Sequence, residues 1–122
     1  IAMGFAVDEQ SELMSTYGRD VEKEAPWPLS FADYAEAVQG GGASAKYAHK
    51  LAKYYGSIMN FISESRSALA INHGGVVELG VVGCLPGFDF SSWGGSVEYC
   101  EGARLYWDED KFVKAEVLRV SM

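Results

Sequence analysis

Between residues 43 and 66 the apolar side chains Tyr47, Leu51, Tyr54, Ile58 and Ile62 recur at three- and four-residue spacing, with Tyr55 and Met59 beside them. That period keeps them on one face and predicts the longest helix of the chain, its stripe turned to the core. A shorter run, "FADYAEAVQ" at 31–39, is preceded by Ser30 and followed by Gly40, Gly41 and Gly42. A hydroxyl accepts the first free amides of a helix and glycine ends one, so a second helix is predicted there. "ALAIN" at 68–72 is short and apolar on both alternate faces, the profile of a central parallel strand buried on both sides. "VVELGVVGCL" at 76–85 is apolar almost all round, between Gly74-Gly75 and Pro86-Gly87, and reads as a buried helix.

The remaining segments are more polar. Residues 8–30 contain Gly18, Pro26 and Pro28 and show no sustained period; they read as a loop holding one helical turn, after an apolar start at 1–7 that suits a helix end. Residues 86–95 form a turn-rich loop with three aromatics. From Ser96 the pattern alternates, passes a polar tip at 108–111 and alternates again, which predicts a terminal hairpin. The order helix, strand, helix, strands places the chain in the α/β class.

Length and composition narrow this further. A chain of 122 residues with 48% apolar and 22% charged positions has the balance of one folded domain. Ten Lys and Arg against seventeen Asp and Glu leave a formal charge of −7, a field that repels phosphate backbones and anionic membranes, so neither nucleic acid nor membrane is an expected partner. Cys84 and Cys100 lack the spacing of a zinc site or a disulfide framework; both are expected reduced and buried, and no metal or cofactor is implied. The absence of an apolar run of about 18 residues or of a leader at the start leads to the expectation of a cytoplasmic protein. The chain begins without Met, and the expectation is that it belongs to something longer.

His73-Gly74-Gly75 is where candidate chemistry concentrates. Placed at the carboxyl end of a parallel strand and the start of a helix, it would lie where open α/β sheets bind ligands. Amides of a helix's first turn and the helix dipole favour phosphate there, the glycines leave an anion room to approach, and an imidazole adds a donor. The plain alternative is that His73 caps the turn and the glycines allow a tight bend.

"SALAINHGGVVELGVVGCLPG", followed by "GGSVEYCEGARLYW" and "FVKAEVLRV", resembles the C-terminal half of the histidine phosphatase superfamily, the phosphoglycerate mutase-like group. The resemblance covers the whole chain and is most specific at 67–85. It implies a three-layer α/β/α fold with a mostly parallel central sheet, here lacking the N-terminal strand, as one truncated domain over 1–122. It also implies covalent phosphoryl transfer between histidine and a small phosphorylated molecule, without a metal. On this resemblance His73 matches the second histidine of the site, with Gly74 and Gly75 beside it in the phosphate seat. The nucleophile belongs to an Arg-His-Gly motif, which does not occur in these 122 residues, so the chain is expected to be inactive by itself.

The proton donor of the family falls in the loop "SELMSTYG", where Met14 takes the aligned position and Glu12 stands two residues earlier; Glu12 is the candidate and Glu9 the weaker one. His49 reads as a solvated helix residue, and Arg19, Arg66, Arg104 and Arg119 match no motif of the family. Trp93 and Tyr99 could line a pocket or simply pack, and "DED" at 108–110 reads as a charged hairpin tip. A parallel sheet without its first strand would expose edges and apolar surface. The missing part lies outside the 122 residues, or a homodimer or strand exchange covers the gap, or the sheet is rearranged. The alternative function is a non-catalytic module that binds a phosphate ligand or associates with itself.

Overall fold

The computed structural model describes residues 18–62 and 66–120. Among the described residues four helices and one hairpin follow each other: α1 (Gly18–Glu24), α2 (Phe31–Gln39), α3 (Ala43–Phe61), α4 (Val76–Cys84), β1 (Gly102–Asp108) and β2 (Lys111–Leu118). The helices expected at 31–39 and 76–85 form at almost the expected bounds. The long helix ends at Phe61 instead of 66, and the loop expected at 8–30 contains the seven-residue α1.

Helix α4 occupies the centre. Val76, Leu79, Val81 and Val82 are buried on different sides of it, as an all-apolar helix requires. Helix α3 lies along it, and Gly83 of α4 sits so close to the Ala48 carbonyl that a Cβ has no room there. Phe31 and Tyr34 of α2 and Leu51 of α3 complete this core with no exposed surface. Full burial of side chains such as Phe31, Leu51 and Leu79 stabilises the fold by roughly 1.5–3 kcal/mol each.

Side-chain caps join the helices. Ser30 accepts the Asp33 amide at the start of α2, at 3.1 Å. Gly42 has no side chain with which to cap α3. Its place is taken from a distance by Glu24, at the end of α1, whose carboxylate accepts the Ala43 amide at 2.8 Å, the Ser44 amide at 2.9 Å and the Ser44 hydroxyl at 2.6 Å.

The hairpin is antiparallel, with Gly102 opposite Leu118 and Asp108 opposite Lys111. Its two-residue turn, Glu109-Asp110, has φ of 50° and 66°, the left-handed geometry that matches the twist of two antiparallel strands. Tyr106 faces Lys114 while Trp107 faces Phe112, leaving Val113 as a bulge. Trp107 packs edge-on against Phe112 at 4.8 Å, and a Cβ on Gly56 of α3 would meet its ring at 3.5 Å. The expected hairpin and its charged tip are therefore present, although 96–101 lies outside the strands, with a turn at 99–100.

A three-layer fold with a mostly parallel sheet is not what the chain adopts. Among the described residues the sheet has two strands, both from the C-terminal hairpin. Residues 68–72, expected as a buried central strand, lie outside any sheet, and Leu69 and Ile71 are 63% and 65% exposed. A buried parallel strand needs neighbours on both sides, each brought in by a crossover connection. Here β1 and β2 satisfy one another across a tight turn, and the helices fill the core.

Candidate functional site

The turn into α4 is built by residues 72–78. Asn72 is fastened to the core by its side-chain amide, which donates to the Tyr55 hydroxyl at 2.9 Å. The His73 carbonyl accepts the Val77 amide at 3.1 Å, so this residue already takes part in the helix entry. Its ring is exposed, with Nδ1 3.0 Å from the Gly74 carbonyl. Gly75 has φ of 89°, a conformation that a side chain strains, and Trp27 lies where a Cβ on Gly74 would stand. The two glycines thus permit a left-handed turn and the approach of an indole ring.

Glu78 is the residue of this site whose role was not recognised from the sequence. It is fully buried, its Oε1 accepts the Gly75 amide at 2.7 Å and its Oε2 accepts the Val97 amide at 3.1 Å. A carboxylate three residues into a helix reaching back to the cap amide is a known helix-start device, and the spacing Gly75 to Glu78 was visible in the sequence. What was not visible is the second bond, which crosses to a loop nineteen residues later. The helix N-terminus, favourable for an anion, therefore already holds an internal one.

His73, Gly74 and Gly75 are contiguous and stand at a helix start, as expected. Glu12, Glu9 and Met14 lie outside the described residues. The arginines are elsewhere engaged or exposed. Arg104 pairs with Glu116 at 3.1 Å across the hairpin, an exposed pair worth little. Arg119 donates to the carbonyls of Trp93, Gly95 and Ser96 at 2.8, 2.5 and 3.0 Å and to Glu101 at 2.7 Å. That hydrogen bond from Arg119 is the main reason the Glu101 carboxyl is held below its usual range. Arg19 and Arg66 are exposed.

Other expectations separate in the same way. Trp93 packs edge-on against Phe31 and Phe90 at 5.0 and 4.9 Å, whereas Tyr99 is almost wholly exposed. Cys84 is buried, and burial pushes its thiol up to about 12; Cys100, expected buried, is exposed because it lies in the turn before β1 with φ of 65°. His49 is exposed, as read from the helix pattern.

A concavity of about 480 Å³ lies between the end of α1 and α2, lined by Glu24, Pro26, Leu29, Asp33, Glu36 and neighbouring small residues. Three carboxylates and no cation make it a poor place for phosphate. Among the described residues no group of three or more His, Cys, Asp or Glu is placed to hold a metal ion, and no helix is long and apolar enough to cross a membrane. No family model matches the chain, and no curated protein and no solved structure matches it either.

Proposed function

We propose that the chain recognises a phosphate group at His73-Gly74-Gly75, as a non-catalytic portion of a histidine phosphatase-like protein. The observation that supports this reading is the exposed His73 ring at the start of the nine-residue α4. The imidazole supplies a donor and the dipole of α4 a partial positive charge. Chemistry of the family requires an Arg-His-Gly nucleophile, and none is present in the 122 residues, so binding without turnover is the expected behaviour. The ligand is a small phosphorylated molecule or inorganic phosphate itself. Glu78 limits the affinity, because its carboxylate already accepts the Gly75 amide.

Titrating the isotopically labelled chain with inorganic phosphate tests the proposal. The amide signals of residues 73–77 should move saturably, and His73→Ala should weaken binding by about tenfold or more, the loss expected when a charge-assisted hydrogen bond of 1.5–3 kcal/mol is removed. Unmoved signals at millimolar phosphate, or shifts retained in His73→Ala, would overturn the reading. p-Nitrophenyl phosphate should not be hydrolysed by this chain.

A further inference from the structure

The outward face of α3 carries charge of one sign. Lys46, Lys50 and Lys53 stand three and four residues apart with His49 among them, all four exposed, while Tyr47, Ala48 and Leu51 of the same helix are buried. Such spacing puts the four side chains on one side of the helix, over about 10 Å of its length. No Asp or Glu occurs from 37 to 63, in a chain that has seventeen. Among the described residues, none of the three ammonium groups makes an ion pair. Lys46 acts on Glu24 without reaching ion-pair distance, and that carboxylate is already taken by Ala43 and Ser44.

This arrangement works against the helix that bears it. Lys50 repels Lys46 across one turn and Lys53 across the next, where a surface helix is ordinarily stabilised by opposite charges. Lys46 is also the fourth residue of α3, near the end at which the helix dipole is positive and favours an anion. An anion laid across the stripe relieves both costs. The buried side of α3, packed along α4, holds the stripe on a fixed support.

We infer that this face of α3 docks an acidic segment of a partner protein, its carboxylates spread over about 10 Å, two turns of a helix or about three extended residues. Charge complementarity chooses this occupant over larger polyanions. Proteins held to DNA by charge typically neutralise about 6–10 phosphates, and lipid-binding basic clusters hold about 4–8 cations. The stripe has three lysines. Beyond them the chain holds seven basic residues against seventeen acidic ones, a field that a long polyanion or a membrane sheet must approach and a short segment does not. The inference does not depend on the phosphate reading, since it uses none of residues 73–77.

Titrating the isotopically labelled chain with a synthetic oligoglutamate peptide at low salt is the test. The amide signals of 46–53 should move saturably, and binding should weaken steeply as ionic strength rises toward about 1 M, where the screening length is about 3 Å. Lys50→Glu should weaken binding by about tenfold or more, since like charges then face each other. The same variant should keep its helical circular dichroism and its thermal midpoint, because one repulsive centre in α3 becomes an attractive one. Lys111→Glu makes the same change of net charge at the exposed start of β2 and should leave binding within about a factor of two, as screening of a distant charge requires. Unmoved signals at 46–53, binding that survives Lys50→Glu, or an equal loss in Lys111→Glu would refute the inference. So would tighter binding to phosphatidylserine vesicles or to a single-stranded oligonucleotide than to the peptide. Signals of 46–53 that move as far on concentrating the chain alone would give the face to a second copy and refute it too.

Discussion

Glu78 has the most to lose from a single change. Its carboxylate is fully buried and both oxygens accept backbone amides, from Gly75 and from Val97. Burying a charge is costly unless it is hydrogen-bonded in this way. Truncation leaves two amides without their acceptor, each worth about 1–3 kcal/mol of desolvation. Glu78→Ala should therefore lower the unfolding free energy by about 3–5 kcal/mol in urea titration, with Glu78→Gln intermediate because an amide retains one acceptor. A loss below 1 kcal/mol for Glu78→Ala would show that neither bond matters to the fold. In the sequence this residue stood inside an apolar run as its one charge, and its position three residues after Gly75 indicated the local bond. The bond to Val97 could not be read, because nothing in the eighteen residues between them encodes where their loop returns.

Among the elements, α3 owes its start to another. Gly42 offers no cap, and Glu24 provides one from the end of α1. The bond from the Ser44 hydroxyl, followed by those from the Ser44 and Ala43 amides, holds the Glu24 carboxyl below its usual 4.5. A carboxyl whose folded pKa is depressed contributes stability above its unfolded value, and that contribution is lost as pH falls through the folded one. Thermal unfolding midpoints should thus decline as pH drops below about 4.5. In Glu24→Gln the midpoint at neutral pH should be lower and this part of the acid decline smaller. An acid limb identical to that of the parent would remove Glu24 from the explanation. The helices themselves were legible from period and punctuation: Ser30 before α2, three glycines after it, and the Tyr47–Leu51 stripe of α3. The seven-residue α1 was not, since a segment in which Val21 is the one apolar side chain has too few apolar positions to display a period.

For the molecule as a whole, the connection between the helical core and the hairpin matters most. Arg119, just beyond β2, donates to three carbonyls of 93–96 and to Glu101, while Ser96 exchanges hydrogen bonds with Leu29 at 2.7 and 3.2 Å. These bonds fasten the end of the chain to the loop that carries Trp93 and Val97 into the core. Arg119→Met keeps much of the length and removes the donors. It should cost about 1–3 kcal/mol and speed hydrogen exchange throughout 93–101. Unchanged exchange there would mean that the aromatic packing of Trp93 holds the loop by itself.

Local periodicity alone determined the α3 stripe, the all-round apolar α4, the α2 cap and the alternating hairpin with its acidic tip, because those features depend on neighbours within a few residues. Net charge and composition were likewise properties of the list of residues. What only the tertiary structure decided was the partnership of distant segments. "ALAIN" satisfies every local condition for a buried strand, yet burial requires strands on either side, and among the described residues the sheet pairs β1 with β2. Whether a helix start receives an external anion or an internal carboxylate was equally non-local. His73, Gly74 and Gly75 specify the turn, and the three-dimensional return of Val97 completes the enclosure of Glu78. The physical reason is the same in both cases: hydrogen-bond partners far apart in sequence are chosen by chain closure and packing, which no short window of residues contains.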